Sequence, residues 1–249
     1  MLIRLGIALI CLCAMSARAD ALRLLTEDAA PLSFRRDGQL EGLSVAVVRA
    51  LIARTGDDAR IELMPWTRAI HLTENQADTG LFSTVRTAER EARFQWVGPI
   101  LVGTTRFYSM KSRKLNISTL QDAAASGPLA VPKRWYTYEV LSSQGFSNLY
   151  GVSSARQMLT MLKFGRVNLI ATEDLTLSYE LASVGLRPDD LTEHLPLMRS
   201  AYYIAFSTRT DPARVARWRQ ALVAMHKDGS LGSIVHRWLP QASVPEPEP

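Results

Sequence analysis

The chain has 249 residues, long enough for one large domain or two modest ones with packed cores. With 47% hydrophobic and 21% charged residues, its composition is that of a globular protein and excludes a disordered body. The formal net charge of +5 comes from scattered basic residues without a long basic run, which argues for a solvated surface and against nucleic acid as a partner.

Met1–Arg4 supplies a basic start, and Leu5 to Met15 is an apolar run about half of the ~20 residues that a membrane span needs. Ala17-Arg18-Ala19 follows as an A-x-A cleavage site, so residues 1–19 are expected to be a secretory signal peptide removed after Ala19. Both cysteines, Cys11 and Cys13, lie inside that run, and neither follows the small residue typical of a lipidation site. The mature chain then offers no disulfide, no thiolate metal ligand and no thiol nucleophile.

From Ala21 onward the sequence alternates strand-like and helix-like segments, the pattern of layered α/β architecture. Ala21 to Thr26 reads as a strand, Gly38 to Gly42 as a turn, and Ser44 as the cap of a helix to Arg54. Arg60 to Met64, Thr79 to Phe82 and Phe94 to Val97 are expected strands, with a helix at Trp66 to Thr73 and a helical turn at Thr87–Glu91. A second set starts with a strand at Thr105 to Met110 and a capping box at Ser118-Thr119-Leu120-Gln121. Further strands are expected at Leu129 to Pro132 and Val167 to Ala171. Helices are expected at Tyr136 to Ser143, at Ser154 to Phe164 and at Leu175 to Ser183. The strand Ala201 to Ser207 returns to the first set, and helices at Pro212 to Lys227 and Leu231 to Leu239 close the chain. The expected organisation is one lobe from 20–103 plus 205–240, a second from 104–204, and a flexible tail over 241–249. Two crossings between the lobes make a hinge.

Trp66, at a helix start, suits either a core or a ring face laid on a ligand or cation. The helix beginning near Trp135-Tyr136-Thr137 presents free N–H groups toward an anion, with Lys133, Arg134 and Tyr136 beside it. His71, His194, His226 and His236 lack metal-ligand spacing, and no nucleophile elbow, phosphate loop or H-E-x-x-H motif occurs. Neither a metal, a cofactor nor an enzymatic activity is called for.

Several short segments occur together in a specific order. They are Thr26-Glu27-Asp28-Ala29-Ala30-Pro31, Gly42-Leu43, Ala77-Asp78, Ser83-Thr84-Val85-Arg86-Thr87-Ala88-Glu89-Arg90-Glu91, Gly165-Arg166-Val167-Asn168, Thr172-Glu173-Asp174 and Lys227-Asp228-Gly229-Ser230-Leu231. From Leu22 to about Leu239 the chain resembles the bacterial family 3 extracellular solute-binding proteins, in a branch marked by Pro65-Trp66-x-Arg68-Ala69 and Trp96-Val97-Gly98-Pro99. The resemblance implies a two-lobed, Venus-flytrap type II periplasmic-binding-protein α/β fold. It also implies a monomeric periplasmic receptor that hands a small polar ligand, such as a carboxylate-bearing amino acid, to an ABC-type permease.

It further implies roles for particular residues. Arg90 would fork onto a ligand carboxylate through its planar guanidinium. Ser83 and Thr84 would offer hydroxyl and backbone groups, and Glu173 would accept a ligand ammonium, with Glu27 a second carboxylate of that kind. Arg86 would add positive charge if it faces the cleft, and otherwise points to solvent. The sequence departs from the amino-acid-binding pattern at Ser44, where the family has an acidic residue, and at Ala29, where it has an aromatic one. Two alternatives belong to the same fold: an exported dehydratase-like lyase using Glu173 as an acid, and a ligand-sensing partner of a membrane signalling protein.

Overall fold

A computed structural model of the protein describes residues 21–246, so the expected signal peptide and its cleavage site lie outside the described residues. Strand β1 (Leu22–Thr26) is followed by a small hairpin, β2 (Phe34–Arg36) and β3 (Gln39–Glu41), then helix α1 (Leu43–Thr55), β4 (Ala59–Leu63), α2 (Trp66–Asn75) and β5 (Thr79–Val85). A 3-10 turn over Ala88–Arg93 leads into the long strand β6 (Phe94–Met110). Next come α3 (Leu120–Ala125), β7 (Leu129–Pro132), α4 (Tyr136–Ser143), β8 (Leu149–Val152), α5 (Ala155–Lys163), β9 (Leu169–Glu173) and α6 (Asp174–Ser183). The long strand β10 (Leu191–Ser207) then returns to α7 (Pro212–Lys227) and α8 (Ser230–Trp238).

Eight strands form one sheet in the order β4-β1-β5-β10-β6-β9-β7-β8. β1 lies parallel between β4 and β5, and β7 lies parallel between β8 and β9, so each end of the sheet is a βαβ layer. β6 and β10 have 17 residues each and pair antiparallel along nearly their full length. At about 3.3 Å per residue they reach roughly 55 Å and serve both lobes. Each lobe has its own core: Leu24, Val48, Phe82, Ile204 and Trp218 in the first, and Met158, Leu162, Ile170 and Leu181 in the second. No helix among the described residues is long and apolar enough to cross a membrane.

The structure is the expected two-lobed α/β fold, with local differences. The strands expected at Phe94 to Val97 and Thr105 to Met110 are the two ends of β6. Gly98-Pro99 does not break that strand, because the register with β10 shifts between Tyr202 and Ile204, and such an irregularity accommodates a residue without an N–H. β10 likewise starts ten residues earlier than the apolar run beginning at Ala201.

Ser44 does not cap α1; it lies inside the helix, fully buried. The cap is Gly42, whose φ of 131° and close approach to the Leu32 carbonyl leave no room for a side chain, since a Cβ there would lie 2.2 Å from that oxygen. Thr119, rather than Ser118, caps α3 in a reciprocal box with Asp122, while Ser154 caps α5 as expected.

Candidate functional site

Between the lobes lies a cavity of about 50 Å³. Lobe one contributes Thr26 and Glu27 from the end of β1, Ser33 from the following loop, Trp66 from the start of α2 and Ser83 from β5. Trp135 and Tyr136 come from the start of α4, and Glu173, Thr176 and Glu180 from α6. Tyr202 enters from β10. These groups meet because the C-terminal ends of parallel strands and the N-terminal ends of helices point into the same crevice. The cavity opens into a wider mouth of about 690 Å³ that shares Glu27, Trp66, Trp135 and Glu180 and adds Asp28, Lys133, Arg156 and Tyr179.

Glu173 is the N-cap of α6. Its carboxylate accepts the Leu175 N–H at 2.5 Å and the Thr176 N–H at 3.1 Å, and it also accepts the Thr176 hydroxyl. The same hydroxyl lies 3.1 Å from Oε1 of Glu180. A hydroxyl has one hydrogen, so one of these two contacts must be made by a carboxyl proton. Burial pushes Glu180 up to about 8, helped by the charge of Glu173, which assigns that proton to Glu180. Burial also pushes Glu173 up to about 7 and Glu27 up to about 8, the latter against the pull of Arg90. Tyr136 and Tyr202 are raised by the same burial; the Tyr136 hydroxyl lies 2.7 Å from that of Thr105.

Of the residues expected from sequence, Glu27, Trp66, Ser83, Trp135, Tyr136 and Glu173 line this cavity together. Three do not. Thr84 follows Ser83 on β5 and so faces the other side of the sheet, where its hydroxyl donates to the Leu81 carbonyl at 2.9 Å. Arg86 lies in a separate cavity of about 450 Å³, paired with Glu91 at 2.7 Å and stacked over Trp96 and Tyr203. Arg90 is completely buried behind Trp66, its Cζ 5.3 Å from the ring centroid.

Arg90 binds a carboxylate, but one supplied by the protein. Its Nε donates to Glu139 of α4 at 2.7 Å and its Nη2 to the Arg134 carbonyl at 3.1 Å, both in lobe two. The Trp66 indole N–H donates to that same carbonyl at 2.8 Å, and Ser143 of α4 donates to Glu89 at 2.9 Å. Arg134 therefore contributes its main chain rather than its charge, with φ at 66°, and Lys133 stands in the outer mouth. Arg68 is exposed.

Sequence reading missed Glu180, Thr176 and Tyr202. Glu180 had a signal: Glu173, Thr176 and Glu180 recur at i, i+3 and i+7, which places them on one helix face. Tyr202 had none, since an apolar strand gives no sign of which tyrosine meets the other lobe.

A comparison with the sequences of curated proteins returned no match. Among solved structures, a histidine kinase sensor domain with similarity to periplasmic binding proteins is 17% identical, with a TM-score of 0.82 over 92% of this chain and 99% of its own. An ABC uptake transporter substrate-binding protein from Streptococcus pneumoniae with bound histidine is 16% identical, with a TM-score of 0.76 over 91% and 95%. A periplasmic His/Glu/Gln/Arg/opine family-binding protein from Silicibacter pomeroyi in complex with lysine is 17% identical, with a TM-score of 0.74 over 90% and 100%. These likenesses show the fold. The family model for bacterial extracellular solute-binding proteins, family 3, matches residues 22–241, nearly all of the described chain, and the protein belongs to that family.

Proposed function

We propose that this protein is the substrate-binding component of an ABC-type uptake system, exported to the periplasm, and that it closes its two lobes around one small polar ligand such as an amino acid or a related metabolite. The observation that supports this reading most is the cavity itself, placed between the lobes and walled by polar and aromatic side chains from both. A ligand touching both walls favours closure by its differential affinity for the closed form. Glu27, Trp66, Ser83, Trp135, Tyr136 and Glu173 are the proposed contacts. The family resemblance would have Arg90 meet a ligand carboxylate, but here Arg90 is not part of the cavity wall, and its Nε and Nη2 are held by Glu139 and the Arg134 carbonyl, which leaves only the buried Nη1 unpartnered. The ligand class is therefore kept wider than carboxylates.

The test is a thermal-shift screen of the mature chain against amino acids, organic acids, oligopeptides and amines. A ligand at 100 times its Kd stabilises by about 2.7 kcal/mol, which is readily seen as a higher Tm. A saturable hit that is lost when Trp66 and Tyr136 are both replaced by alanine supports the reading. Turnover of the hit instead of stable occupancy overturns it in favour of a cleft enzyme.

A further inference from the structure

The charge around the cavity is unbalanced. Glu27 reaches it from lobe one, and Glu173 and Glu180 reach it from lobe two, which makes three carboxyl groups on one small space. Arg90 acts on Glu27 but is not part of the cavity wall; its Nε and Nη2 are committed to Glu139 and to the Arg134 carbonyl, and its buried Nη1 is unpartnered behind that wall. Two further polar atoms on the cavity wall, Oε2 of Glu180 and Oγ of Ser83, are fully buried and make no hydrogen bond. Buried polar atoms are rarely left without partners, so these mark where a ligand's donors belong.

Resting on the receptor reading above, we propose that the ligand is an organic cation: a primary amine whose ammonium group enters the Glu27–Glu173–Glu180 cavity and which needs no carboxylate. An ammonium carries three donors and no acceptor, which matches a wall of carboxylates drawn from both lobes. The cavity, about 50 Å³, takes the head group, and the rest of the molecule lies in the mouth of about 690 Å³ against Trp66, Trp135 and Tyr179. Aromatic faces suit a cation or its alkyl stem.

The same geometry links binding to protons. Glu27 and Glu180 stand on opposite lobes and repel each other across the cleft, so the charges of Asp28 and Asp174 add to a site that already favours protonated carboxyls. Arg90 opposes this at Glu27, while Tyr136 and Tyr202 stay neutral. A bound ammonium replaces those protons, and they are released to the buffer.

The deciding experiment is calorimetric titration of the mature protein at pH 7.5 with agmatine, 1,4-diaminobutane, L-arginine and L-glutamate, each in two buffers of different ionisation enthalpy. Agmatine and L-arginine carry the same guanidinium and differ by the carboxylate, so they isolate its contribution. The expected result is agmatine or diaminobutane bound at least about tenfold more tightly than L-arginine, with net proton release. Glu27→Gln and Glu180→Gln are expected to lose at least about tenfold in amine affinity while keeping wild-type circular dichroism. Tighter binding of L-arginine or L-glutamate overturns the proposal and leaves the receptor reading standing, as does unchanged amine affinity in both variants. Silence from all four probes overturns the proposal, and the receptor reading falls with it only if the wider library is silent as well.

Discussion

Glu27 and Glu180 hold protons in the folded protein that an unfolded chain releases, because burial raises both carboxyls to about 8 from an ordinary value of 4.5. Where the folded state binds more protons than the unfolded one, stability falls as pH rises, here between about pH 4.5 and 8. Removing the ionisable group removes that loss. Without added ligand, Glu27→Gln and Glu180→Gln are therefore expected to raise Tm by about 3 °C or more at pH 8.5, and to leave it nearly unchanged at pH 5. Scanning calorimetry at the two pH values checks this, and a lower Tm at pH 8.5 in both variants contradicts the assigned burial. The same stability difference makes these glutamates costly to keep unless a ligand uses them. Glu173 was readable in the sequence from its place in Thr172-Glu173-Asp174. Glu180 shares its helix face through the i, i+3, i+7 spacing with Thr176, but that spacing was passed over because a glutamate within a helix looks solvated until the facing lobe closes over it.

The start of α1 shows how far an element can be read and where reading stops. The apolar spacing of Val45, Val48 and Leu51 located the helix correctly, and all three are buried. Its cap was misread because Ser44 is a good capping residue and Gly42 a modest one. What decides the cap is the Leu32 main chain packed against Gly42, a contact from outside the helix. Gly42→Ala is expected to destabilise by on the order of 2 kcal/mol or more, through both the positive φ and the collision with the Leu32 carbonyl. Urea unfolding followed by circular dichroism measures it, and a loss below about 0.5 kcal/mol refutes the steric argument. The long strands were underread for a related reason. Gly98, Pro99 and Gly103 look like breaks, yet Gly103 is there because α6 packs on it, with a Cβ placed only 2.8 Å from the Leu175 side chain. Where tertiary contact overrides local propensity, a sequence alone gives no warning.

The lobes meet through a small set of groups that shares only Trp66 with the cavity wall. Arg90 pairs with Glu139, Trp66 and Arg90 share the Arg134 carbonyl, and Ser143 donates to Glu89. Glu139→Gln removes the charge that answers a completely buried guanidinium, a change that costs on the order of 3 kcal/mol unless the arginine can reach water. Opening the cleft is the cheapest way to reach it. The variant is thus expected to shift toward an open form without ligand, seen in small-angle scattering as a radius of gyration above the ~17 Å of a compact chain this size. A profile identical to wild type would remove this contact from the closing mechanism. At this scale sequence reading succeeded most fully. The out-and-back order of strands and helices foretold two lobes and two crossings, whereas the pairing of Arg90 with Glu139 depends on how the lobes face each other.

β6 and β10 belong to both lobes at once, yet they do not carry one alternation of side chains from core to core. Their pairing shifts register between Glu193 and Pro196, between Pro196 and Met198, and between Tyr202 and Ile204. Each shift resets which face of the sheet the following side chains take, so Ile204 and Phe206 reach the first core and Leu191 the second although they differ in parity along the strand. The two cores are thus phased independently of each other. One residue inserted beside a shift is expected to be taken up by the irregularity already there, whereas one inserted within the continuous run from Met198 to Tyr202 turns the side chains of that run to the opposite face.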